Sequence, residues 1–543
     1  MPASHSLAAT AIALAVAAAL SACGSGGNSN DAAPPAPVAT LGDAIALTAS
    51  GKLVSFDRAA PATLRSSVAI TGLSSGETLL GIDRRPADGL LYALGSTGRI
   101  YTLDAATGVA SFKAALAPAA GDDNPFSALA GSRFGLDFNP VADRLRVTSD
   151  SGQNLRINVE SGAAITDGAV NGVSGAAVSA SAYSNSFAGT TATQLYVLDA
   201  ATGTLFLQDP PNAGTLAAPI ALGMSFAAAN GFDIDARDNS GWAALTATAG
   251  GASTLYKLSV TAGGGATMIG AIGGGEAIVG LALTQPARPV VHALAADGQL
   301  VSVDPAAPNT VLGTVAVGGL ASTERLLGID FRPKDGQLWG LTSAARLVTL
   351  DPATGAATIV ATLGADAADA TAPFAGLTGS LFTVDFNPVA DRLRVITDTG
   401  LNLRINVDTG ATTTDGAINR AGVAPTVAGG AYGNSFGGAT ATMLFDIDAA
   451  SAVLALQSPP NDGTLTDIGA LGVVPVGAAP MDIAGGANGL VLAALASSAG
   501  GPSRLVNVAL ATGAATPRVA GDAALSLIGG AGGPAIVDIA IKL

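Results

Sequence analysis

The feature that most constrains this chain is a long internal repeat. Residues 137–162 read DFNPVADRLRVTSDSGQNLRINVESG and residues 385–410 read DFNPVADRLRVITDTGLNLRINVDTG, with 20 of 26 positions identical and an offset of 385 − 137 = 248 residues. Self-similarity at a fixed, long offset indicates that the chain holds two copies of one large unit. Each copy is long enough to form a domain with its own core.

Within this stretch, the alternation of apolar and polar residues predicts a β-hairpin with two different faces. A three-residue loop that ends at Gly152 places Arg146 opposite Arg156 and keeps the apolar residues on the other face. Facing arginines repel each other unless anions lie between them. The expected anions are Asp137, Asp143 and Asp150.

A shorter unit recurs inside each copy. Equivalent aspartates at Asp83 and Asp330 give a copy length of 330 − 83 = 247 residues, and five units per copy give 247/5, about 49 residues each. Residues 327–360 show the unit best, as four short strand patterns separated by turns that contain proline, aspartate and glycine. Units of this kind are typical of β-propeller blades.

The ends of each copy support a closed ring. Each copy opens with patterns for strands two to four and closes with a lone strand pattern, at residues 278–283 and 536–541, which can complete the first blade. We therefore expect an all-β fold with two tandem β-propeller-like modules of five four-stranded blades, at residues 42–285 and 290–543. A pair of β-sandwiches and a different blade count are the alternatives.

The start of the chain predicts export and lipid anchoring. The apolar run at residues 7–20 has the length of a signal-peptide core, so residues 1–22 are interpreted as a signal peptide. The sequence Leu-Ser-Ala-Cys that ends at Cys23 resembles a bacterial lipobox, which predicts lipidation of Cys23, and residues 23–41 have the composition of a flexible tether. Gly24 favours the outer membrane of a Gram-negative host. The alternative is a plain signal peptide with an incidental cysteine.

Composition excludes several classes of function. The net charge is −15 and no cluster of Lys and Arg exists, so nucleic-acid binding is not expected. Only His5 and His292 are histidines and Cys23 is the single cysteine, which excludes multi-histidine zinc sites and histidine-dependent nucleophiles. Any metal would be a hard cation held by oxygen atoms, and calcium is the cofactor to consider.

Four motifs resemble those of a known bacterial family. In the second copy they are GIDFRP at residues 328–333, LDPATG at 350–355, DFNPVADRLRV at 385–395 and NLRIN at 402–406, and each has a partner in the first copy. These motifs are similar to the family catalogued as domain of unknown function 4394 (DUF4394). The resemblance implies a propeller-like, exported protein and leaves its activity open.

Two sets of residues are candidate sites. In several of the predicted blades, an aspartate ends the innermost strand, which would line the central channel. These carboxylates could hold calcium, or they could serve only to stabilise the repeat. These aspartates are Asp83, Asp137, Asp233, Asp330, Asp385 and Asp482. The arginines of the hairpin could bind an anionic ligand or lie buried between blades, neutralised by aspartates. They are Arg144, Arg146, Arg156, Arg392, Arg394 and Arg404.

These features favour a non-enzymatic, lipid-anchored envelope protein that presents a propeller pair to a partner protein or envelope component. No catalytic residue is assigned. The alternative is a calcium-dependent propeller hydrolase or lyase of the envelope, which would need glutamates beside the aspartates. Glu77 and Glu324 match between the copies, but each lies six residues before its aspartate, about 20 Å along an extended strand.

Overall fold

The computed structural model describes residues 40–227, 230–261, 263–284 and 288–543. Their regular structure consists of ten sheets of mostly antiparallel strands, five in each copy, and three short 3₁₀ turns at Pro211–Ala213, Pro460–Asp462 and Gly486–Asn488. The predicted signal peptide, Cys23 and nearly all of the tether lie outside the described residues, as do residues 285–287 at the expected boundary between the two modules. Within the described residues, no helix has the length and hydropathy needed to cross a bilayer.

The first module contains blades 1 to 5, each with its strands in order from the innermost outwards. Blade 1 is Ile278–Leu283, Ala44–Thr48, Lys52–Phe56 and Leu64–Ala69; blade 2 is Leu79–Arg84, Leu91–Gly95, Arg99–Leu103 and Ala110–Ala115; blade 3 is Phe134–Asn139, Arg144–Ser149, Asn154–Ile157 and Ala163–Thr166, with Ala117–Pro118 added in parallel; blade 4 is Val178–Tyr183, Leu195–Asp199, Thr204–Gln208 and Leu216–Ala221; blade 5 is Gly231–Ile234, Gly241–Thr246, Ser253–Leu258 and Ala266–Ala271.

The second module repeats this plan as blades 6 to 10. Blade 6 is Ile536–Lys542, Val290–Ala295, Gln299–Val303 and Val311–Ala316; blade 7 is Leu326–Phe331, Leu338–Thr342, Arg346–Leu350 and Ala357–Thr362; blade 8 is Phe382–Asn387, Arg392–Thr397, Asn402–Ile405 and Ala411–Thr414, with Gly364–Ala365 added in parallel; blade 9 is Val427–Tyr432, Leu444–Asp448, Val453–Gln457 and Leu465–Ala470; blade 10 is Met481–Ala484, Leu490–Ala496, Ser503–Val508 and Ala515–Pro517.

Each module is a closed ring, as the sequence predicted. Ile278–Leu283 pairs antiparallel with Ala44–Thr48, and Ile536–Lys542 pairs with Val290–Ala295, so the last strand of each copy completes its first blade. The innermost strands of neighbouring blades contact one another around the whole ring in both modules. This arrangement confirms two tandem five-bladed propellers and surrounds a central channel in each.

The core lies between the blades, because both faces of the inner strands are covered by neighbouring sheets. Five consecutive residues of Ala44–Thr48 are all buried, and the same holds for Leu91–Gly95 and Leu195–Asp199. Strands buried on both faces favour continuous apolar runs. The outermost strands alternate or are largely exposed, as in Leu64–Ala69. Burial thus decreases from the channel to the rim.

The repeated hairpin has the predicted register. Leu145 pairs with Ile157 and Arg146 with Arg156, and the second copy pairs Arg394 with Arg404 in the same way. Gly152 has a φ of 84°, the left-handed conformation that the three-residue loop requires.

The two modules pack directly against each other within one compact unit, Ala39–Leu543. Phe187 of the first module is 1% exposed and belongs to a buried cluster that otherwise consists mostly of second-module side chains, including Leu490 and Ile541. The hydroxyl of Thr190 donates to the carbonyl of Gly489 at 3.1 Å. The modules are therefore held in a defined arrangement by apolar and polar contacts.

Candidate functional site

The six predicted aspartates form two clusters, one in each central channel. Asp83, Asp137 and Asp233 lie on the innermost strands of blades 2, 3 and 5, and each is at most 2% exposed. One carboxylate oxygen of each lies within 4.8 Å of the others. The equivalent residues of the second module form the second cluster with the same limit on distance. They are Asp330, Asp385 and Asp482.

Each aspartate of the first channel accepts a backbone hydrogen bond from the next blade. Asp83 Oδ2 accepts from the Phe138 N–H at 2.7 Å and Asp137 Oδ1 from the Tyr183 N–H at 3.0 Å. Asp233 Oδ2 accepts in the same way at 2.6 Å from the inner strand of blade 1. The carboxylates therefore join neighbouring blades, and Asp137 does so instead of pairing with the hairpin arginines.

The second channel has a fourth carboxylate that sequence reasoning missed. Asp538, on the inner strand of blade 6, is 3% exposed, and its Oδ2 accepts from the Ile329 N–H of blade 7 at 2.8 Å. Its counterpart in the first copy is Gly280. Comparing IVGLAL at 278–283 with IVDIAI at 536–541 gives the only sequence signal for this residue, and it marks a difference between the copies.

Burial dominates the electrostatics of both clusters. It raises the pKa of Asp83 and Asp137 well above the ordinary value, and the nearby charge of Asp233 raises it further. The pKa of Asp233 is raised by burial to about 7, against hydrogen bonds that lower it. A buried carboxylate is costly to ionise unless a positive charge compensates it.

The same pattern holds in the second channel. Burial and the neighbouring carboxylates raise the pKa of Asp330 and Asp385 well above the ordinary value, and burial raises that of Asp482 to about 6. Burial also raises the pKa of Asp538. The clusters are thus acidic centres that require protons or cations.

The predicted arginine row is buried in part and paired with protein groups. Arg146 is 1% exposed and donates to the Asp167 carboxylate at 2.6 Å, to Asn212 Oδ1 at 2.7 Å, to Asn154 Oδ1 at 2.9 Å and to the Tyr183 hydroxyl at 3.2 Å. These contacts link blades 3 and 4 through side chains. Hydrogen bonds that involve a charged group are stronger than neutral ones.

The other arginines follow the same plan in both copies. Arg156 also pairs with Asp167 at 2.6 Å, and Arg394 and Arg404 both pair with Asp415 at 2.6 Å. Arg144 and Arg392 instead donate to nearby backbone carbonyls, at residues 142–143 and 390–391.

The expected counter-ions of the arginines were therefore wrong. Asp137 binds a backbone N–H, Asp143 pairs with Arg85 at 2.6 Å, and Asp150 accepts from Ser132. The actual partner, Asp167, sits in a Thr-Asp-Gly sequence that recurs at Asp415, so the repeat itself held the missing signal. Asp167 follows a strand that lies two strands away from Arg146. Considering only the residues on adjacent strands therefore does not identify it as the partner of the facing arginines.

The glutamates lie apart from the aspartate clusters, engaged in other contacts. Glu77 accepts hydrogen bonds from Thr97 and Tyr101, and Glu324 pairs with Arg346. His292 is buried, its Nδ1 is 2.9 Å from the Ser302 hydroxyl, and burial lowers its pKa to about 4.

A cleft of about 790 Å³ lies between the two modules. The first module contributes Tyr196, Asp238 and Lys257 to its walls, and the second contributes Phe436 and Thr440. Glycines at residues 265, 437 and 438 leave backbone groups accessible in the walls. This cleft was not predicted, since nothing in one copy alone reveals how two copies pack.

Comparison with known families and structures gives one extended match. The family model described as "Domain of unknown function (DUF4394)" matches residues 52–282 and again residues 299–528. No curated protein matches the chain significantly. Among solved structures, the chain is similar to the crystal structure of BamB from Moraxella catarrhalis, with 14% sequence identity over 74% of this chain and 88% of that chain and a TM-score of 0.18. The propeller fold is shown by the strand topology of the ten sheets.

Proposed function

Since this chain belongs to the DUF4394 family, whose description gives no activity, we propose from the geometry that it is a non-enzymatic binding protein of the cell envelope. It is anchored through a lipid on Cys23 and holds a segment of a partner protein in the cleft between its modules.

The observation that carries this proposal is that the same loop sequence occurs once in each module, in two different environments. Residues 185–189 and 434–438 share the sequence Asn-Ser-Phe-x-Gly and the same place in their modules. Phe187 is 1% exposed in the contact between modules, whereas Phe436 is only half-buried and lines the cleft. The second loop therefore presents an aromatic side chain of the kind that the first loop uses to bind another module.

The chemistry of the cleft suits an extended peptide. Phe436 offers aromatic surface, while Lys257 and Asp238 on one wall offer both signs of charge. Aromatic anchors surrounded by polar groups are typical of protein-binding surfaces. Glycine-rich walls add backbone donors and acceptors, to which the main chain of a peptide can bind.

The non-enzymatic part of the proposal rests on how the polar groups are used. The channel aspartates bind backbone N–H groups of the next blade, and Glu77 and Glu324 bind threonine, tyrosine and arginine side chains elsewhere. This favours a stabilising role for the acids over the acid–base pairs that a hydrolase or lyase needs.

A site-specific crosslinking experiment tests the binding role. A photoreactive amino acid replaces Thr440, which is exposed in the cleft, and in a matched control it replaces Val389, an exposed residue of another loop that is 47% exposed and does not line the cleft. Irradiation in the native host should give one abundant protein adduct from position 440, reduced by Phe436→Ala, and no such adduct from position 389. The same adducts from both positions, or none from position 440, would contradict the proposal.

The anchor is tested separately by fractionation. Wild-type protein should incorporate a fatty-acid probe and sediment with membranes, whereas Cys23→Ser should carry no label and either remain unprocessed or appear in the soluble fraction. A wild-type protein without label would remove the anchor from the proposal and leave the cleft untouched.

A further inference from the structure

Beyond the binding role of the cleft, we propose that the central channel of each module binds one hard divalent cation between its aspartates, and that the second module binds it more tightly than the first. The cavity that leads to the second channel shares Phe436 and Gly437 with the cleft, but this inference does not depend on the identity of a partner.

The first channel contains an unsatisfied buried oxygen. Asp137 is 1% exposed, and its Oδ2 has no hydrogen-bond partner among the described residues, while its Oδ1 accepts from the Tyr183 N–H. Buried carboxylate oxygens are rarely left without a partner, because the loss of hydration is costly. A cation beside Asp137 would supply the missing interaction.

The spacing of the carboxylates suits such an ion. One oxygen each from Asp83, Asp137 and Asp233 lies within 4.8 Å of the others. Ca²⁺ binds oxygen atoms at about 2.3–2.6 Å, so its ligands are separated by up to roughly 5 Å. The three oxygens can therefore surround one ion while Asp83 and Asp233 keep their backbone hydrogen bonds, which orient them.

The second channel has the same three oxygens and more negative charge. Asp538 stands where the first copy has Gly280, and its charge raises the pKa of Asp330 and Asp385. The first channel thus has three carboxylates in its ring, and the second has four. Ligand charge is one of the properties that sets Ca²⁺ affinity in oxygen sites.

The second channel also differs from the first in the basic residues near its carboxylates. Arg84 lowers the pKa of Asp83, and Arg58, which pairs with Asp235 at 2.9 Å, lowers that of Asp233. The second copy has Phe331 in place of Arg84 and Pro305 in place of Arg58.

In the second channel, burial raises the pKa of each aspartate, and hydrogen bonds from backbone N–H groups lower it in part. This is so for Asp330, Asp385, Asp482 and Asp538. Phe331 thus replaces the positive charge of Arg84 and Asp538 replaces Gly280, whereas the Arg58–Asp235 ion pair is replaced by the uncharged Pro305 and Ala484. An external cation is the chemical substitute for the missing Arg84.

A route from solvent reaches this channel. A cavity of about 170 Å³ is lined by Asp330 and Asp482 together with Phe331, Arg332 and Lys542. Arg332 is engaged in ion pairs with surface aspartates, among them Asp391 at 2.6 Å, and the Lys542 ammonium donates to the Gly336 carbonyl at 2.8 Å. Arg237 of the first module also lines the cavity and pairs with Asp235 at 3.0 Å, so each of these three basic groups has a partner other than the channel carboxylates.

Calcium titration of the purified full-length protein tests the inference. Calorimetry should detect two Ca²⁺ ions per chain in two affinity classes. Asp385→Asn should remove the tighter ion and Asp137→Asn the weaker one. Asparagine keeps a carbonyl oxygen to accept the Tyr432 or Tyr183 N–H, so both variants should retain the fold, which circular dichroism can verify.

Conversion of one channel into the other sharpens the test. Phe331→Arg combined with Asp538→Gly gives the second channel two of the residues of the first, and it should weaken the tighter site about tenfold or more, because an added positive charge repels the ion at short range. Wild-type protein that binds no Ca²⁺ at millimolar concentration would overturn the inference. So would binding that is unchanged in Asp385→Asn and in the converted channel.

Discussion

The two Asn-Ser-Phe-x-Gly loops show how one sequence serves two purposes when its surroundings differ. In the first module Phe187 is buried against the second module, whereas Phe436 lies at the edge of a cleft. The facing surfaces explain this. Gly485 and Gly489 of the second module lie close to the Phe187 ring, and a Cβ at Gly489 would be 3.1 Å from Phe187 Cε1. The first module has Ala236 and Ser240 in place of these two glycines.

The comparison teaches that the copies keep the contacts that join neighbouring blades and differ in the residues that face the other module, the channel and the rims. Both modules retain the blade-joining aspartates and the arginine network around Asp167 and Asp415. They differ at the interface loops, in the charge of the channels and at the rims of their outer strands. A substitution in one module can therefore be compared with the equivalent substitution in the other module, which serves as its control.

The largest effect is expected where the copies agree. Asp167→Ala would leave Arg146 buried without its carboxylate, and Asp415→Ala would do the same to Arg394, so each should lower the free energy of unfolding by roughly 3–5 kcal/mol. Chemical denaturation measures both. Arg144→Ala, which removes only hydrogen bonds to local carbonyls, is the control and should cost far less. A large loss in one copy alone would show that the two networks are not equivalent.

Much of this architecture was readable from the sequence because it depends on local patterns that repeat. Alternation predicted the register of Arg146 against Arg156, turn residues marked the blades, and the lone last strands predicted ring closure. The aspartates were recognised as channel residues for the same reason, since each ends an innermost strand.

What the sequence could not supply were contacts between elements far apart in the chain. Asp167 reaches Arg146 from two strands away, and each channel aspartate binds the backbone of the next blade, so neither contact follows from strand pairing. The cleft depends on how whole modules pack. Asp538 was missed because it breaks the repeat rather than following it.

The second prediction separates the two loops. Phe187→Ala removes a ring from the buried contact between modules and should lower the free energy of unfolding by about 3 kcal/mol or more, as for other buried phenylalanines. Phe436→Ala should change it by less than about 1 kcal/mol, because the ring is half-buried. Limited proteolysis should also cut the Phe187 variant faster between the modules. Equal losses for both variants would mean that the cleft is closed in solution.

The third prediction concerns a difference between the two copies inside blade 9. Asp446 replaces Val197 of the first copy and Gly430 replaces Ser181. Asp446 is fully buried, and neither of its carboxylate oxygens has a hydrogen-bond partner in the part of the chain that the structure describes. A Cβ at Gly430 would lie too close to its Oδ1. Burial raises the pKa of Asp446 to about 8, against the charge of Arg394.

The sign of the resulting pH dependence follows from linkage. In the unfolded chain an aspartate releases its proton near pH 4, but folded Asp446 holds it up to about pH 8. Its contribution to stability is complete below pH 4 and is lost as the pH rises through 8, with a slope of up to about 1.4 kcal/mol per pH unit. Asp446→Asn should therefore gain stability relative to wild type as the pH is raised from about 5 to 8, which denaturation at each pH measures. Asp462→Asn, an exposed acid of the same blade, controls for the loss of one charge.

The smallest effect on stability is expected at the rims, where a change of charge alters behaviour between molecules. The outer strand of blade 1 carries Arg65, which pairs with Asp57, and that of blade 2 carries Lys113, which pairs with Glu160. The second copy has Leu312 and Val360 at these positions, 59% and 43% exposed. Charged residues on edge strands oppose pairing with other chains, and apolar edges invite it.

Leu312→Arg with Val360→Lys should thus leave the free energy of unfolding within about 0.5 kcal/mol of wild type, as for other exposed positions. Light scattering of concentrated protein should fall nonetheless, because the new charges protect the edges of blades 6 and 7. The reverse exchange, Arg65→Leu with Lys113→Val, should raise scattering from the first module. Identical scattering in all three proteins would show that the bulges in the register of these outer strands already protect the edges without charge.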